Sequence, residues 1–202
     1  MGATANKSPQ EITNILLCGV GGQGVLVASD ILIDVAMNAG YDVKKSEVHG
    51  MAQRGGSVVS QVRYGAKVYS PLIRQGDADI IVSFEKMEVL RYLDFLKEDG
   101  IIIYNNQKIT PLSVYSSGVN YPENINELCK GKTNRVSEVN AIALAEEIGN
   151  PKVLNSVMLG ALSNYLNFES HIWIDMLSKV VPPKTIDMNL RAFAAGQRMT
   201  KN

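Results

Sequence analysis

The stretch NILLCGVGGQGVLVASDIL, Asn14 to Leu32, constrains the fold of this chain more than any other part of it. An apolar run with the look of a buried strand enters Gly19-Val20-Gly21-Gly22-Gln23-Gly24 and leaves as a segment with helical periodicity. Strand, tight glycine turn and helix in that order are the opening of an α/β sheet protein. The glycine spacing is that of the dinucleotide fingerprint, in which glycines permit the turn, the approach of a pyrophosphate and close helix packing. The helix start behind it offers free N–H groups and a positive dipole end to an anion. The same backbone also serves any α/β protein that needs only a tight turn.

The rest of the chain continues the alternation. A helix near Val25 to Ala39 stops at Gly40, and YDVKKSEV reads as a second strand, which completes a β-α-β unit. EVHGMAQRGGS, Glu47 to Ser57, has neither strand nor helix period and reads as an ordered loop. SVVSQVRYGAKVYSPLI gives two short runs around Tyr64-Gly65-Ala66-Lys67, the pattern of a hairpin, so antiparallel pairing is expected in a mixed sheet. DADIIVSFE and GIIIYNN are buried strands, with a helix expected over Lys86 to Lys97 because Met87, Leu90, Leu93 and Leu96 recur at three-residue steps. NRVSEVNAIALAEEIGN reads as strand then helix, with Asn140 as N-cap and Gly149 as stop. From Pro151 the pattern is helical, which predicts a helical C-terminal cap packed on the sheet. The expected architecture is therefore a Rossmann-like, three-layer α/β fold with a mixed sheet: residues 14–202 as one domain, residues 1–13 as a frayed tail.

Charge and cysteine usage narrow the function. Twenty Lys and Arg against twenty Asp and Glu leave no global field favouring nucleic acid or an anionic membrane. With no apolar run of about 20 residues and no signal-like start, a soluble, cytoplasmic protein is expected. Cys18 sits inside an apolar strand, and Cys18, Cys129, His49 and His171 are scattered, so neither a disulfide nor a zinc or iron–sulfur site made by this chain is expected.

A dinucleotide site would require an acid at the end of the second strand for the ribose hydroxyls, and Glu47 stands near that place. Against this, Lys44 and Lys45 precede it, and a glycine-rich polar loop follows where a helix would normally begin. Three readings stay open: a free-standing NAD(P)-binding reductase, a nucleotide-binding or scaffold module, and a surface at the sheet's switch point that meets another ligand or protein. The residues expected to face a ligand or partner are Gly21, Gly22, Gln23 and Gly24 of the turn, with Glu47, His49, Gln53, Arg54, Gly55 and Gly56 of the loop. Arg54 beside two glycines suits a carboxylate or phosphate. No serine or cysteine has a nucleophile setting, so no catalytic residue is assigned.

Several strings together carry a resemblance: GVGGQGVLVASDIL, KKSEVHGMAQRGGSVVSQVRYG, VYSPLI, FEKMEVLRYL and VPPKTIDMNLRAF. From about Asn14 to Arg198 the chain resembles the gamma-type subunits and domains of 2-oxoacid:ferredoxin oxidoreductases, and within them the beta-subunit branch of the indolepyruvate enzymes. SEVHGMAQRGGSV is the string more specific to that branch. The resemblance implies a subunit, inactive alone, of a complex that oxidatively decarboxylates an aryl 2-oxoacid with coenzyme A to an acyl-CoA and reduces ferredoxin. It also implies that thiamine diphosphate and iron–sulfur clusters sit on a larger alpha subunit, with no cofactor on this chain.

Overall fold

The computed structural model describes residues 11–49, 56–110 and 121–200, His49 by its backbone alone. Six strands form one sheet: β1 (Thr13–Val20), β2 (Asp42–His49), β3 (Ser57–Gly65), β4 (Ala78–Ser83), β5 (Leu96–Asn105) and β6 (Val136–Val139). Their order is β2-β3-β1-β4-β5-β6, with β3 antiparallel to both its neighbours and β1, β4, β5 and β6 successively parallel.

The strand residues explain the layering. Along β1 the apolar side chains alternate, Ile15 and Leu17 into one core and Leu16 and Cys18 into the other, as a strand covered on both faces requires. The first face carries α1 (Val25–Asn38), α3 (Ala141–Ile148), α4 (Leu154–Ser163), α5 (Ser170–Val180) and α6 (Ile186–Met199). The second carries a 3-10 helix, Glu88–Phe95, and the short α2 (Ile125–Lys130). This is the expected α/β fold with a mixed sheet, helices on both faces and a helical C-terminal region. No described helix is long and apolar enough to cross a membrane. Within the C-terminal helices α4 and α6 cross backbone to backbone. A Cβ placed on Gly160 would overlap the Phe193 carbonyl oxygen, and one on Gly196 would overlap that of Val157.

Four local expectations need correction. The antiparallel hairpin joins β2 to β3 across residues 50–56, and residues 66–77 form no strand. Pro71 has no N–H for a ladder, and the segment is tied down by side chains instead. Asp42 accepts from the Val68 amide (2.9 Å), and Gln61 Oε1 accepts from that of Ile73 (2.6 Å). As a second consequence, β3 lies between β1 and β2, so the opening β-α-β unit is not made of adjacent strands. The helix expected over Lys86 to Lys97 is a 3-10 helix ending at Phe95, and Leu96 already pairs with Ala78 in the sheet. A strict three-residue step is the period of a 3-10 helix, whose side chains eclipse at i and i+3. Asn140 does hold the N-cap position of α3, but its side chain makes no capping bond; Asn105 Oδ1, from β5, accepts from the Ala141 amide at 3.0 Å.

Candidate functional site

The helix after β1 packs on one face of the sheet and the 3-10 helix after β4 on the other. Open α/β sheets form their binding crevice at such a switch, outside the carboxyl ends of the strands. Here the crevice opens at the Gly21–Gly24 turn. Gly22 (φ 103°) and Gly24 (φ 79°) have left-handed backbone that other residues adopt only with strain. Gly21 is not among the positive-φ glycines; its amide donates to the carbonyl of Gly56 (2.9 Å), which ties the turn to the start of β3.

Gln23 lines the crevice, but its amide is spent on bracing the turn. Its Oε1 accepts from the Val20 amide (2.8 Å), and its Nε2 donates to the Phe84 carbonyl (2.7 Å) and to Gln107 Oε1 (2.8 Å). One side chain thus joins the ends of β1, β4 and β5. Asn105 Nδ2 donates to the same Phe84 carbonyl at 3.0 Å. Behind them Glu85, fully buried, accepts from the amides of Met87 (2.7 Å), Glu88 (2.9 Å) and Ile109 (3.0 Å) and from the Tyr121 hydroxyl (2.6 Å). A buried carboxylate with that many donors fixes the backbone of the cleft wall. Burial and the adjoining Glu85 carboxylate hold the Tyr121 hydroxyl well above the usual phenol range.

The cleft has a volume of about 540 Å³ and runs from the glycine turn past Gln107 and Ile109 to Ile142, Pro151, Lys152 and Asn155. The starts of α1, α3 and α4 therefore all border it. No side chain caps α1, so its first-turn amides are left for whatever enters. Asn155 is 8% exposed; its Oδ1 accepts from the Ser156 amide (2.9 Å). Its Nδ2 makes no hydrogen bond among the described residues and lies against Gly24, 3.1 Å from where a Cβ would stand. Lys152 brings a cation with no ion pair among the described residues. Helix-start amides, a primary amide and a cation on one cleft are groups that can donate hydrogen bonds to an anion. Among the described residues no group of three or more His, Cys, Asp or Glu is placed to hold a metal. The Cys18 thiol, fully buried, is pushed up by that burial and is not a nucleophile.

Of the residues singled out in the sequence, Gly21, Gly22, Gln23 and Gly24 line this cleft and Gly56 adjoins it through its carbonyl. Glu47 does not: β3 separates its strand from β1, and its carboxylate pairs with Lys45 (3.0 Å), which also pairs with Asp30 of α1 (2.5 Å). A ribose-binding acid would have to stand on the strand beside β1, so Glu47 has not the place that the dinucleotide reading requires. His49 closes β2 opposite Val58. Gln53, Arg54 and Gly55 lie outside the described residues. Sequence reasoning missed Gln107, Lys152 and Asn155. Their signal was positional: NNQK follows an apolar strand, and NPKVLN opens a helix with a proline.

The family model for pyruvate ferredoxin/flavodoxin oxidoreductase matches residues 14–199. Indolepyruvate oxidoreductase subunit IorB of Thermococcus kodakarensis is 42% identical over 194 residues, 93% of this chain and 96% of the relative. The subunit of the same name from Archaeoglobus fulgidus is 42% identical over 91% of this chain and 92% of the relative. Among solved structures, the keto/oxoacid ferredoxin oxidoreductase gamma subunit of Geobacter sulfurreducens superposes with a TM-score of 0.69 at 21% identity, covering 93% of this chain and 98% of that one. The 2-oxoglutarate:ferredoxin oxidoreductase of Magnetococcus marinus, solved with 2-oxoglutarate, coenzyme A and succinyl-CoA, superposes with a TM-score of 0.70 at 23% identity, over 95% of this chain and 31% of that one. The same strand, glycine turn and helix that opened the sequence thus stand at the start of the matched region, and the chain belongs to the pyruvate ferredoxin/flavodoxin oxidoreductase family as a subunit of a 2-oxoacid:ferredoxin oxidoreductase.

Proposed function

We propose that this chain is the small subunit of an indolepyruvate:ferredoxin oxidoreductase and that its cleft receives a phosphate group of coenzyme A. The reaction of the complex takes an aryl 2-oxoacid and coenzyme A to an acyl-CoA and carbon dioxide, with two electrons passed to ferredoxin. The larger alpha subunit carries the thiamine diphosphate, which supplies the decarboxylation chemistry, and the iron–sulfur clusters that carry the electrons away. This chain contributes a rigid wall of the shared site and has no activity alone.

One observation carries the coenzyme A reading: an uncapped helix start, two glycines at positive φ, the Asn155 amide and the Lys152 cation surround one cleft. The 42% identity to indolepyruvate oxidoreductase subunits supports the aryl substrate. The displacement of Glu47 from the strand beside β1 argues against the nicotinamide alternative. The test is to purify the chain with and without its larger partner and follow electron transfer to ferredoxin. Indolepyruvate- and coenzyme A-dependent reduction by the pair, none by the chain alone, and a higher kcat/KM for indolepyruvate than for pyruvate or 2-oxoglutarate are expected. NAD(P) reduction by the chain alone, or a pair that prefers 2-oxoglutarate, would overturn the assignment.

A further inference from the structure

At the amino-terminal edge of the sheet, away from the glycine turn, Arg63 of β3 is half-buried and makes no ion pair among the described residues. Its Nε donates to Asn14 Oδ1 (2.8 Å) and its Nη1 to the carbonyls of Ser70 (2.8 Å) and Leu72 (3.1 Å), all neutral acceptors. Arg74 borders the same hollow of about 510 Å³, and its guanidinium makes no hydrogen bond or ion pair among the described residues. Asp77, also on its rim, takes part in no ion pair among them either. Two guanidinium groups thus line one hollow, and a half-buried guanidinium gains most from a bidentate carboxylate.

Exposed apolar side chains flank the hollow. Leu72, on its lining, is 59% exposed and Tyr69, next to the lining residue Ser70, 88%, on a segment that the bonds from Asp42, Gln61 and Arg63 fasten to the sheet. Tyr beside Arg on a pre-ordered surface is the composition of a binding hot spot. We propose that the surface formed by Arg63, Arg74, Tyr69 and Leu72 docks an acidic side chain, flanked by apolar residues, of the larger partner subunit. The proposal rests on the reading of this chain as one subunit of a complex. A free small anion would leave Tyr69 and Leu72 in water. A second copy meeting this surface about a twofold axis would set arginines against arginines.

The test measures association of the purified chain with the larger subunit, using wild type, Arg74→Glu and Tyr69→Ser, both exposed positions outside the cleft. Each substitution is expected to raise Kd about tenfold or more, and to leave the melting temperature of the free chain and the turnover at saturating partner unchanged. Arg74→Glu should also lose the salt dependence of association. Wild-type Kd in both variants would overturn the docking surface alone. Failure of the wild-type chain to associate would overturn the subunit reading and this surface with it. Self-association of the wild type that the variants abolish would give the surface to a second copy and overturn the proposal. So would stabilisation by free malonate that depends on Arg74 while Kd for the partner stays at the wild-type value.

Discussion

Replacing Gln23 by alanine tests how the glycine turn is held. The side chain makes three hydrogen bonds, to the Val20 amide, the Phe84 carbonyl and Gln107 Oε1, at 2.7 to 2.8 Å. At a net value near 1 kcal/mol each, Gln23→Ala should cost about 3 kcal/mol. For a chain of this length that corresponds to a fall in melting temperature of roughly 6–12 °C. Gln23→Glu separates donor from acceptor: a carboxylate still accepts from the Val20 amide, but its second oxygen faces the Phe84 carbonyl and Gln107 Oε1. It should be at least as destabilised at neutral pH. It should also recover on acidification, because the folded state then disfavours the charged form and a protonated carboxyl can donate again. The assay is urea unfolding of the purified chain, with thermal unfolding over a pH series for the glutamate. Changes below about 0.5 kcal/mol in both variants would refute the brace and return Gln23 to the solvent or to a ligand.

Other substitutions probe the scaffold. Gly196→Ala sets a methyl group against the Val157 carbonyl, where α4 and α6 cross, and should destabilise by about 3 kcal/mol in the same urea assay; an unchanged midpoint would mean the helices separate freely. The Asp42 carboxyl is held down at about 2 by the hydrogen bonds it accepts from Lys44 and from the Val68 amide. Its contribution is present above the unfolded pKa near 4 and lost as pH falls toward 2, so Asp42→Asn should flatten the acid limb of the stability curve in that window. Burial pushes the Cys129 thiol up to about 11 and raises that of Cys18 further, so a disulfide-exchange reagent at pH 8 should titrate neither until the chain is unfolded.

Local chemistry made the opening of the fold readable. β1, the glycine turn, α1 and the Gly149 stop are each written within a few adjacent residues, and the structure has them where the sequence reading does. Pairing was less legible. Nothing within GAKVYSPLI states that Asp42, Gln61 and Arg63 will hold residues 66–77 away from a ladder, since those partners lie up to 26 residues distant. The turn glycines were visible from spacing, but the role of Gln23 was not, because its acceptors Phe84 and Gln107 are 61 and 84 residues away. Lys152 and Asn155 escaped for the same reason: only the packing of α4 against α1 brings them to the turn. Glu47 misled because strand order, which the sequence does not spell out, places β3 between it and the turn.

The most direct test of the coenzyme A assignment is the steady-state KM for coenzyme A of the reconstituted complex carrying Lys152→Glu. Reversing Lys152, the one cation on the cleft among the described residues, should raise that KM about tenfold, while kcat at saturating coenzyme A and the KM for the 2-oxoacid stay near wild type, the pattern of a lost binding contact. A wild-type KM for coenzyme A in a fully assembled complex would contradict the account and leave the cleft without its proposed ligand.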